Sequence, residues 1–204
     1  MQLIGMLDSP YVRRVAISLQ LLGIPFDHQS ISVFSTFEQF RKINPVVKAP
    51  SLVCDDGGVL MDSSLILEYA EALAASGKSL MPAEIGERLH VLRIVGLGLA
   101  ACEKSVQIVY ERNLRPPEKQ HAPWVERVQG QLFSAYQALE SELRKKPLEA
   151  TSRTMNQAGV TTAVAWNFTQ MMLPEIVIAA DYPTLQAFSE KAEHLAEFVA
   201  APPL

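Results

Sequence analysis

The chain has 204 residues, enough for one large or two small domains with real hydrophobic cores. Hydrophobic residues make up 49% and charged residues 20%, as in soluble globular proteins, and the net charge of −4 argues against a general nucleic-acid binder. We find no targeting signal and no apolar run of the roughly 20 residues that span a bilayer. Cys54 and Cys102 show no metal-ligand spacing. They predict buried thiols in a reducing cytoplasm, with a disulfide or redox pair as the minor alternative.

Residues 3–7 form a short apolar run that predicts a strand, and Ser9 and Pro10 follow it. Ser9 can cap a helix, and Pro10 suits the first helical position because it lacks an N–H. Apolar residues at spacings of three and four predict a helix that ends at Gly23. A hydroxyl group is therefore expected beside free N–H groups at the positive end of a helix, a place suited to an anion.

The rest of the first half predicts a small α/β unit that closes near residue 75. Residues 24–31 are expected to form a strand, and residues 34–43 a short helix or an irregular loop. Residues 50–54 and 59–61 flank an Asp- and Gly-rich turn and predict a hairpin. Asp62 and Ser63 then begin a helix with one apolar face.

The second half shows no strand pattern. Helices are predicted over residues 85–110, 125–143 and 160–173, followed by two short helices over 184–192 and 193–200. Residues 160–173 are apolar nearly all round, which predicts a buried central helix. Gly96 and Gly98 each weaken the long helix by about 1 kcal/mol relative to Ala, so we expect them to permit close backbone approach.

Three segments together resemble the cytosolic glutathione S-transferases, and in particular bacterial members with a serine-type active site. They are residues 9–14, residues 44–50 and the pair Asp62-Ser63. The resemblance covers essentially the whole chain. It implies an α/β thioredoxin-like N-terminal domain plus an all-α C-terminal domain. The implied boundaries are a glutathione-binding domain over residues 1–75, a linker over 76–84 and a helical domain over 85–204.

The resemblance implies that glutathione is the co-substrate and that Ser9 is the catalytic residue, with its hydroxyl bonded to the thiolate. Lowering a thiol pKa of about 8.5 by about two units requires roughly 2.7 kcal/mol of preferential thiolate stabilisation. A hydroxyl donor contributes about 1.5–3 kcal/mol to a charged acceptor, and the helix N-terminus about 0.3–1 kcal/mol. The alternative for Ser9 is a plain N-cap, and the two roles can coexist.

The other glutathione contacts are also implied by the resemblance. Lys48 would meet the glycyl carboxylate, and Ala49 would present its peptide groups before a cis-Pro50. Asp62 would meet the ammonium group, and Ser63 with nearby N–H groups the γ-glutamyl carboxylate. The alternatives are a solvated turn lysine, an ordinary strand-edge proline and pure helix capping by Ser63.

A second-substrate pocket is implied near Tyr11 and Tyr110, although packing explains each of them more readily. We expect Arg13 and Arg14 to be surface or domain-contact charges. The four histidines are scattered with no metal spacing. Neither a metal nor a bound nucleotide is expected.

Three departures from the family pattern narrow these expectations. Met6 and Leu7 stand where some members carry a tyrosine, and a serine at position 9 cannot form the mixed disulfides of cysteine-type members. The buried helix usually begins with Ser/Thr-x-x-Asp, but Val164 follows Thr161 in the last position. We therefore expect a Thr161 cap without its partner, and Val164→Asp to stabilise the protein by up to about 1 kcal/mol.

These features predict a cytoplasmic glutathione transferase, typical of detoxification, that attacks a small electrophile. A glutathione-dependent isomerase or dehalogenase, or a non-catalytic interaction protein on the same fold, are the alternatives. The resemblance further implies a homodimer formed through the first domain and the start of the long helix, with no nucleic-acid or membrane partner. The apolar residues 89–99 fit either that interface or the internal core.

Overall fold

The computed structural model describes residues 1–203 and divides the chain into two compact units. The first unit contains Met1–Met81 together with the segment that begins at His194, and the second contains Pro82–Glu193. The domain boundaries near residues 75 and 85 remain a prediction. In the described part of the chain, no helix is long and apolar enough to cross a membrane.

The first unit is built on a four-stranded sheet in the order β2-β1-β3-β4. β1 pairs in parallel with β2 and antiparallel with β3, and β3 pairs antiparallel with β4. The parallel pair needs a crossover connection, which the predicted first helix supplies. The β3–β4 pair is the hairpin predicted from the Asp- and Gly-rich turn. The strands are β1 (Gln2–Ile4), β2 (Asp27–Gln29), β3 (Ser51–Val53) and β4 (Val59–Met61).

The helices of the first unit follow the predicted order, so the α/β thioredoxin-like architecture is confirmed. The segment left as helix or loop is a helix. Strands β1 and β2 are both shorter than predicted. The chain leaves β1 at Gly5, which has a φ of +139°. The helices are α1 (Pro10–Leu22), α2 (Phe37–Ile43), α3 (Ser63–Leu73) and, from the end of the chain, α8 (Ala196–Val199).

The second unit is all-helical, as predicted, and its long helix runs four residues further than the pattern indicated. The central helix packs mainly against the long helix and against the helix that follows it in the chain, and most of its residues are buried. Its helices are α4 (Ile85–Leu114), α5 (Ala122–Lys145), α6 (Gln157–Met172) and α7 (Pro183–Glu193), with short 3₁₀ turns at Pro117–Lys119 and Ala179–Asp181.

The predicted start of the central helix is wrong. Asn156 is the N-cap of α6, and its Oδ1 accepts a hydrogen bond from the N–H of Gly159 (3.1 Å). Thr161 lies inside the helix and is buried, so it caps nothing. Val164 is also interior and only 2% exposed, so the helix start on which the stabilisation by Val164→Asp depends is not the one observed.

The two glycines of α4 differ in their surroundings. A Cβ on Gly98 would lie 2.9 Å from Cγ2 of Thr161, whereas a Cβ on Gly96 would meet nothing within 4 Å. Gly98 therefore lets α4 and α6 approach closely, as predicted, and Gly96 does not serve that purpose. Residues 89–99, predicted to be either interface or core, have one buried face and one exposed face. Val91, Ile94 and Val95 are buried, and Leu89 and Leu92 are exposed.

Within residues 1–203, neither Cys54 nor Cys102 forms a disulfide. Cys102 is buried, as predicted, whereas Cys54 is only partly buried.

Candidate active site

Ser9 lies at the N-cap position of α1, directly before Pro10 at the first helical position. Its backbone is extended, and its carbonyl oxygen accepts a hydrogen bond from the N–H of Arg13 (3.0 Å). Its side chain makes no capping hydrogen bond. Because the residue is only partly buried, the fold leaves the Ser9 hydroxyl accessible at the positive end of a helix.

Gly5 brings the end of β1 close to this helix start and to Ala49. A Cβ at Gly5 would lie 2.6 Å from Cγ2 of Val12 and 3.2 Å from Cβ of Ala49. The positive φ of Gly5 is also one that other residues rarely adopt. A glycine is therefore needed where the strand turns toward the helix.

The Ala49–Pro50 peptide bond is cis, as the resemblance implied. The backbone N–H and C=O of Ala49 make no hydrogen bond within the described residues. Ala49 is partly buried and Pro50 is buried. Unpaired peptide groups at such a position are unusual and are suited to pairing with the backbone of a bound peptide.

The loop that carries Ala49 is held by two polar side chains that sequence reasoning did not single out. Asn44 Nδ2 donates to Ser51 Oγ (2.9 Å), and Ser51 Oγ donates to the carbonyl oxygen of Lys48 (2.8 Å). Asn44 Oδ1 accepts from the N–H of Val46 (3.0 Å). Asn44 and Ser51 are buried, so these bonds define the shape of the loop. The sequence offered one signal for this support, because Asn44 is the first residue of the segment 44–50 that carries the resemblance.

Asp62 is the N-cap of α3 and has a φ of 76°. Its Oδ1 accepts from the N–H of Ser64 (2.9 Å), and its Oδ2 lies 3.3 Å from Nζ of Lys48. Burial raises the pKa of Asp62, but the Ser64 N–H and the Lys48 ammonium outweigh it and hold that pKa below its ordinary value. The carboxylate is thus ionised at neutral pH and already has a cationic partner.

Ser63 is buried and is held by Arg14. Arg14 Nη1 donates to the hydroxyl oxygens of Ser63 (3.1 Å) and Ser64 (3.2 Å). Arg14 belongs to α1, so this guanidinium connects the helix that begins after Ser9 to the helix that begins at Ser63. The sequence could not reveal this role of Arg14, because its partners Ser63 and Ser64 lie on another helix.

The expectation that Arg13 and Arg14 are surface charges is wrong, whereas Arg13 does contact the end of the chain that was predicted to belong to the helical domain. Their exposed fractions are 2% and 4%. Arg13 Nε donates to the carbonyl oxygen of Ala201 (2.8 Å), and its guanidinium carbon lies 5.7 Å from the centre of the Phe198 ring. Arg13 thus attaches the last helix to the first unit, where backbone carbonyls and an aromatic ring stabilise its charge.

All the predicted glutathione-contacting residues lie in the first unit, on three consecutive segments of the chain. Among these described residues, Lys48 and Asp62 are joined by an ion pair. Tyr11 is partly buried in the first turn of α1, and Tyr110 lines a cavity in the second unit. The described residues contain no group of three or more His, Cys, Asp and Glu side chains placed to hold a metal ion.

Known proteins share both this sequence pattern and this fold. Residues 3–79 match the family description "Glutathione S-transferase, N-terminal domain". The uncharacterized GST-like protein YibF of Escherichia coli K12 is 28% identical over 81% of this chain and 80% of its own length. A glutathione transferase family member from Pseudomonas fluorescens Pf-5, solved with bound glutathione, is 26% identical with a TM-score of 0.85 over 100% of this chain and 98% of its own.

The same Pseudomonas protein, solved with S-(propanoic acid)-glutathione, has a TM-score of 0.83 and is covered completely in both chains. The fold is therefore that of the glutathione S-transferases, a thioredoxin-like unit with a small mixed sheet and a large helical region. The sequence match over residues 3–79 is to the N-terminal domain of the same family.

Proposed function

We propose that this protein is a glutathione transferase in which the Ser9 hydroxyl donates a hydrogen bond to the glutathione thiolate. The observation that carries the proposal is the Ser9 side chain, which lies at a helix N-terminus and makes no capping bond. A hydroxyl that stabilises its own helix would have less capacity for a ligand. The thiolate then attacks an electrophilic carbon, and the protein's contribution is to position and deprotonate the nucleophile.

The remaining contacts follow the chemistry of the tripeptide. Its cysteinyl backbone would pair with the unbonded peptide groups of Ala49, next to Pro50. Ser63 and the adjoining N–H groups of α3 would hold the γ-glutamyl carboxylate. In the related Pseudomonas protein glutathione is bound, which supports the same ligand here.

Lys48 and Asp62 would exchange their mutual contact for contacts with the ligand. Their ion pair is 3.3 Å long, with side chains 51% and 42% exposed, so it contributes little to stability. The glycyl carboxylate would bind Lys48, and the ligand ammonium would bind Asp62. We expect Lys48→Met and Asp62→Asn each to weaken glutathione binding about tenfold, the loss of one charge-assisted contact. Lys42→Met, on exposed α2, is the control.

The catalytic role is tested with Ser9→Ala in a conjugation assay with a chloronitrobenzene. We expect turnover to fall about 10²-fold and the pKa of the bound thiol to rise towards about 8.5, with glutathione affinity nearly unchanged. Ser35→Ala, an exposed serine of the same unit, is the matched control. Full turnover and an unchanged thiol pKa in Ser9→Ala would disprove the role. No glutathione binding at millimolar concentration would instead favour a non-catalytic interaction protein.

We also propose a homodimer. On α3, Leu65, Tyr69 and Leu73 expose one apolar face, and on α4, Ile85 and Leu89 expose another. Such faces are rare on monomers, and a second copy of the chain would cover them. Light scattering should give twice the mass of one chain for the wild type and the mass of a single chain for Leu89→Lys. The cytoplasmic location remains a proposal that rests on the resemblance to cytosolic family members.

A further inference from the structure

The second unit contains a cavity of about 330 Å³ between the end of α4 and the start of α5. This volume lies in the range of small-molecule sites in proteins. Tyr110 is the one lining residue that the sequence singled out. The lining residues are Gln107, Tyr110, Glu111, Leu114, Arg115 and Trp124.

The apolar part of the cavity consists of large side chains that the protein leaves exposed. Tyr110, Leu114 and Trp124 are 44%, 55% and 42% exposed. Tyr110 and Leu114 are four residues apart on α4 and therefore share a face of that helix. Two aromatic side chains with open surface favour a planar ring, which can stack on one or meet the edge of the other.

The walls of the cavity are fixed by hydrogen bonds around the connection between α4 and α5. The Glu111 Oε1 accepts a hydrogen bond from the N–H of His121 (2.9 Å), and its Oε2 forms an ion pair with Nε of Arg115 (2.9 Å). Gln120 Nε2 lies 3.2 Å from the carbonyl oxygens of both Arg112 and Arg115. A ligand would thus find the site already ordered, which reduces the entropy lost on binding.

Arg115 is the group in the cavity that can recognise an anion. Within residues 1–203, only its Nε has a protein partner, so both terminal nitrogens remain available to a ligand. These nitrogens match the geometry of a carboxylate. The opposing charge of Glu111 is compensated, since one of its oxygens accepts the N–H of His121 and the other is paired with Nε of Arg115.

We propose that this cavity binds a planar aromatic molecule with a carboxylate or other acidic group, the ring against Tyr110 and Trp124 and the acid on Arg115. The site itself requires neither Ser9 nor glutathione. One extension rests on the proposed function: such aromatic acids are then the class from which the second substrate is drawn.

The binding test is calorimetry on the full chain without glutathione, with naphthoate as the probe. We expect naphthoate to bind at least tenfold more tightly than the neutral naphthamide or the non-aromatic cyclohexanecarboxylate. Arg115→Gln should weaken naphthoate binding about tenfold and leave naphthamide unchanged. Arg112→Gln is the matched control, since Arg112 lies one turn earlier on α4, pairs with Glu175 and does not line the cavity.

A second variant tests the aromatic wall. Trp124→Leu should weaken naphthoate binding about tenfold and remove the fluorescence change that the ligand causes, because the other tryptophan, Trp166, is buried. Equal affinity for naphthoate and naphthamide, an unchanged affinity in Arg115→Gln, or no binding by the wild-type chain would each overturn the proposal.

Titrating glutathione into the same preparation separates this proposal from the proposed function. Naphthoate binding without glutathione binding would overturn the transferase function and leave the cavity proposal standing. Glutathione binding without naphthoate binding would do the reverse. If both bind, aromatic acids with an electrophilic carbon should be conjugated by the wild-type chain and more slowly by Arg115→Gln.

Discussion

The starts of α1 and α6 place similar polar residues in the same position but use them differently. Asn156 begins α6, and its side chain bonds to the N–H of Gly159, as expected of a cap. Ser9 begins α1, but its side chain makes no such bond. A polar residue before a helix thus marks where the helix begins without showing that its side chain is used. At α1 the unused hydroxyl remains available for chemistry.

The start of α7 adds a third arrangement, in which a distant side chain supplies the cap. Glu140 on α5 accepts hydrogen bonds from the N–H groups of Thr184 (3.0 Å) and Leu185 (2.9 Å). A protein carboxylate there occupies the kind of site that we propose for the γ-glutamyl carboxylate at α3. The five predictions below test this comparison.

The largest effect is expected from Val164→Asp, which tests where α6 begins. If Asn156 is the cap, Val164 is interior and the new carboxylate is buried without a partner. We expect the free energy of unfolding to fall by on the order of 3 kcal/mol or more. Urea denaturation measures it, with Val164→Ala as the uncharged control that should lose less. A gain in stability would restore Thr161 as the cap.

Glu140→Gln should lower the free energy of unfolding at neutral pH by about 1.5–3 kcal/mol, because an amide can accept from only one of the two helix N–H groups. Arg144→Gln, which removes only the exposed partner of Glu140, should cost no more than about 1 kcal/mol. Equal losses in the two variants would show that the ion pair, and not the start of α7, matters.

The same carboxylate predicts an acid dependence. Burial raises the pKa of Glu140, but the groups of Thr184 and Leu185 and the charge of Arg144 lower it further, below its ordinary value of 4.5. Its contribution to stability is therefore complete above that value and is lost as pH falls through the folded pKa. As pH falls from above 4.5 to below the folded pKa of Glu140, the free energy of unfolding of Glu140→Gln should change less than that of the wild type.

Gly98→Ala tests the packing of Thr161 inside α6. The added methyl would lie 2.9 Å from the buried Thr161 side chain, and we expect a loss of about 1–3 kcal/mol. Gly96→Ala on the same helix meets no neighbour and should gain up to about 1 kcal/mol from helix propensity. Opposite signs in thermal or urea unfolding are the expected result. A stabilising Gly98→Ala would place Thr161 elsewhere.

The smallest effects come from the two cap residues themselves. Asn156→Ala should cost about 1 kcal/mol, since the N–H of Gly159 loses its acceptor. Ser9→Ala should change the free energy of unfolding by less than about 0.5 kcal/mol, because no capping bond is lost. A loss of similar size in both variants would mean that the Ser9 hydroxyl stabilises its helix in solution.

The elements that the sequence predicted well are those with a strong local signal. Pro10 and Gly23 bound the first helix, and the turn of Asp and Gly residues joins β3 to β4. The central helix was recognised as buried, but its start was placed three residues too late and its N-cap five residues too late. Residues 157–159 carry no periodic apolar signal, and Asn156 resembled an ordinary loop residue.

The supports of the candidate site were missed for a different reason. Arg14 meets Ser63 from 49 positions away, and Asn44 meets Ser51 across a loop. Neither partner is implied by spacing along one helix or strand. The burial of Arg13 was likewise missed, since its carbonyl partner lies 188 positions along the chain.

The sequence by itself determined the order of the helices and strands, the division into a mixed first half and a helical second half, and the polar residues offered at each helix start. These follow from apolar periodicity and turn chemistry, which act over a few neighbouring residues. Only the tertiary structure decided which of those polar groups bond to the protein and which remain open to a ligand. That outcome depends on groups brought together from distant positions, as when Glu140 serves α7 while the hydroxyl of Ser9 caps nothing.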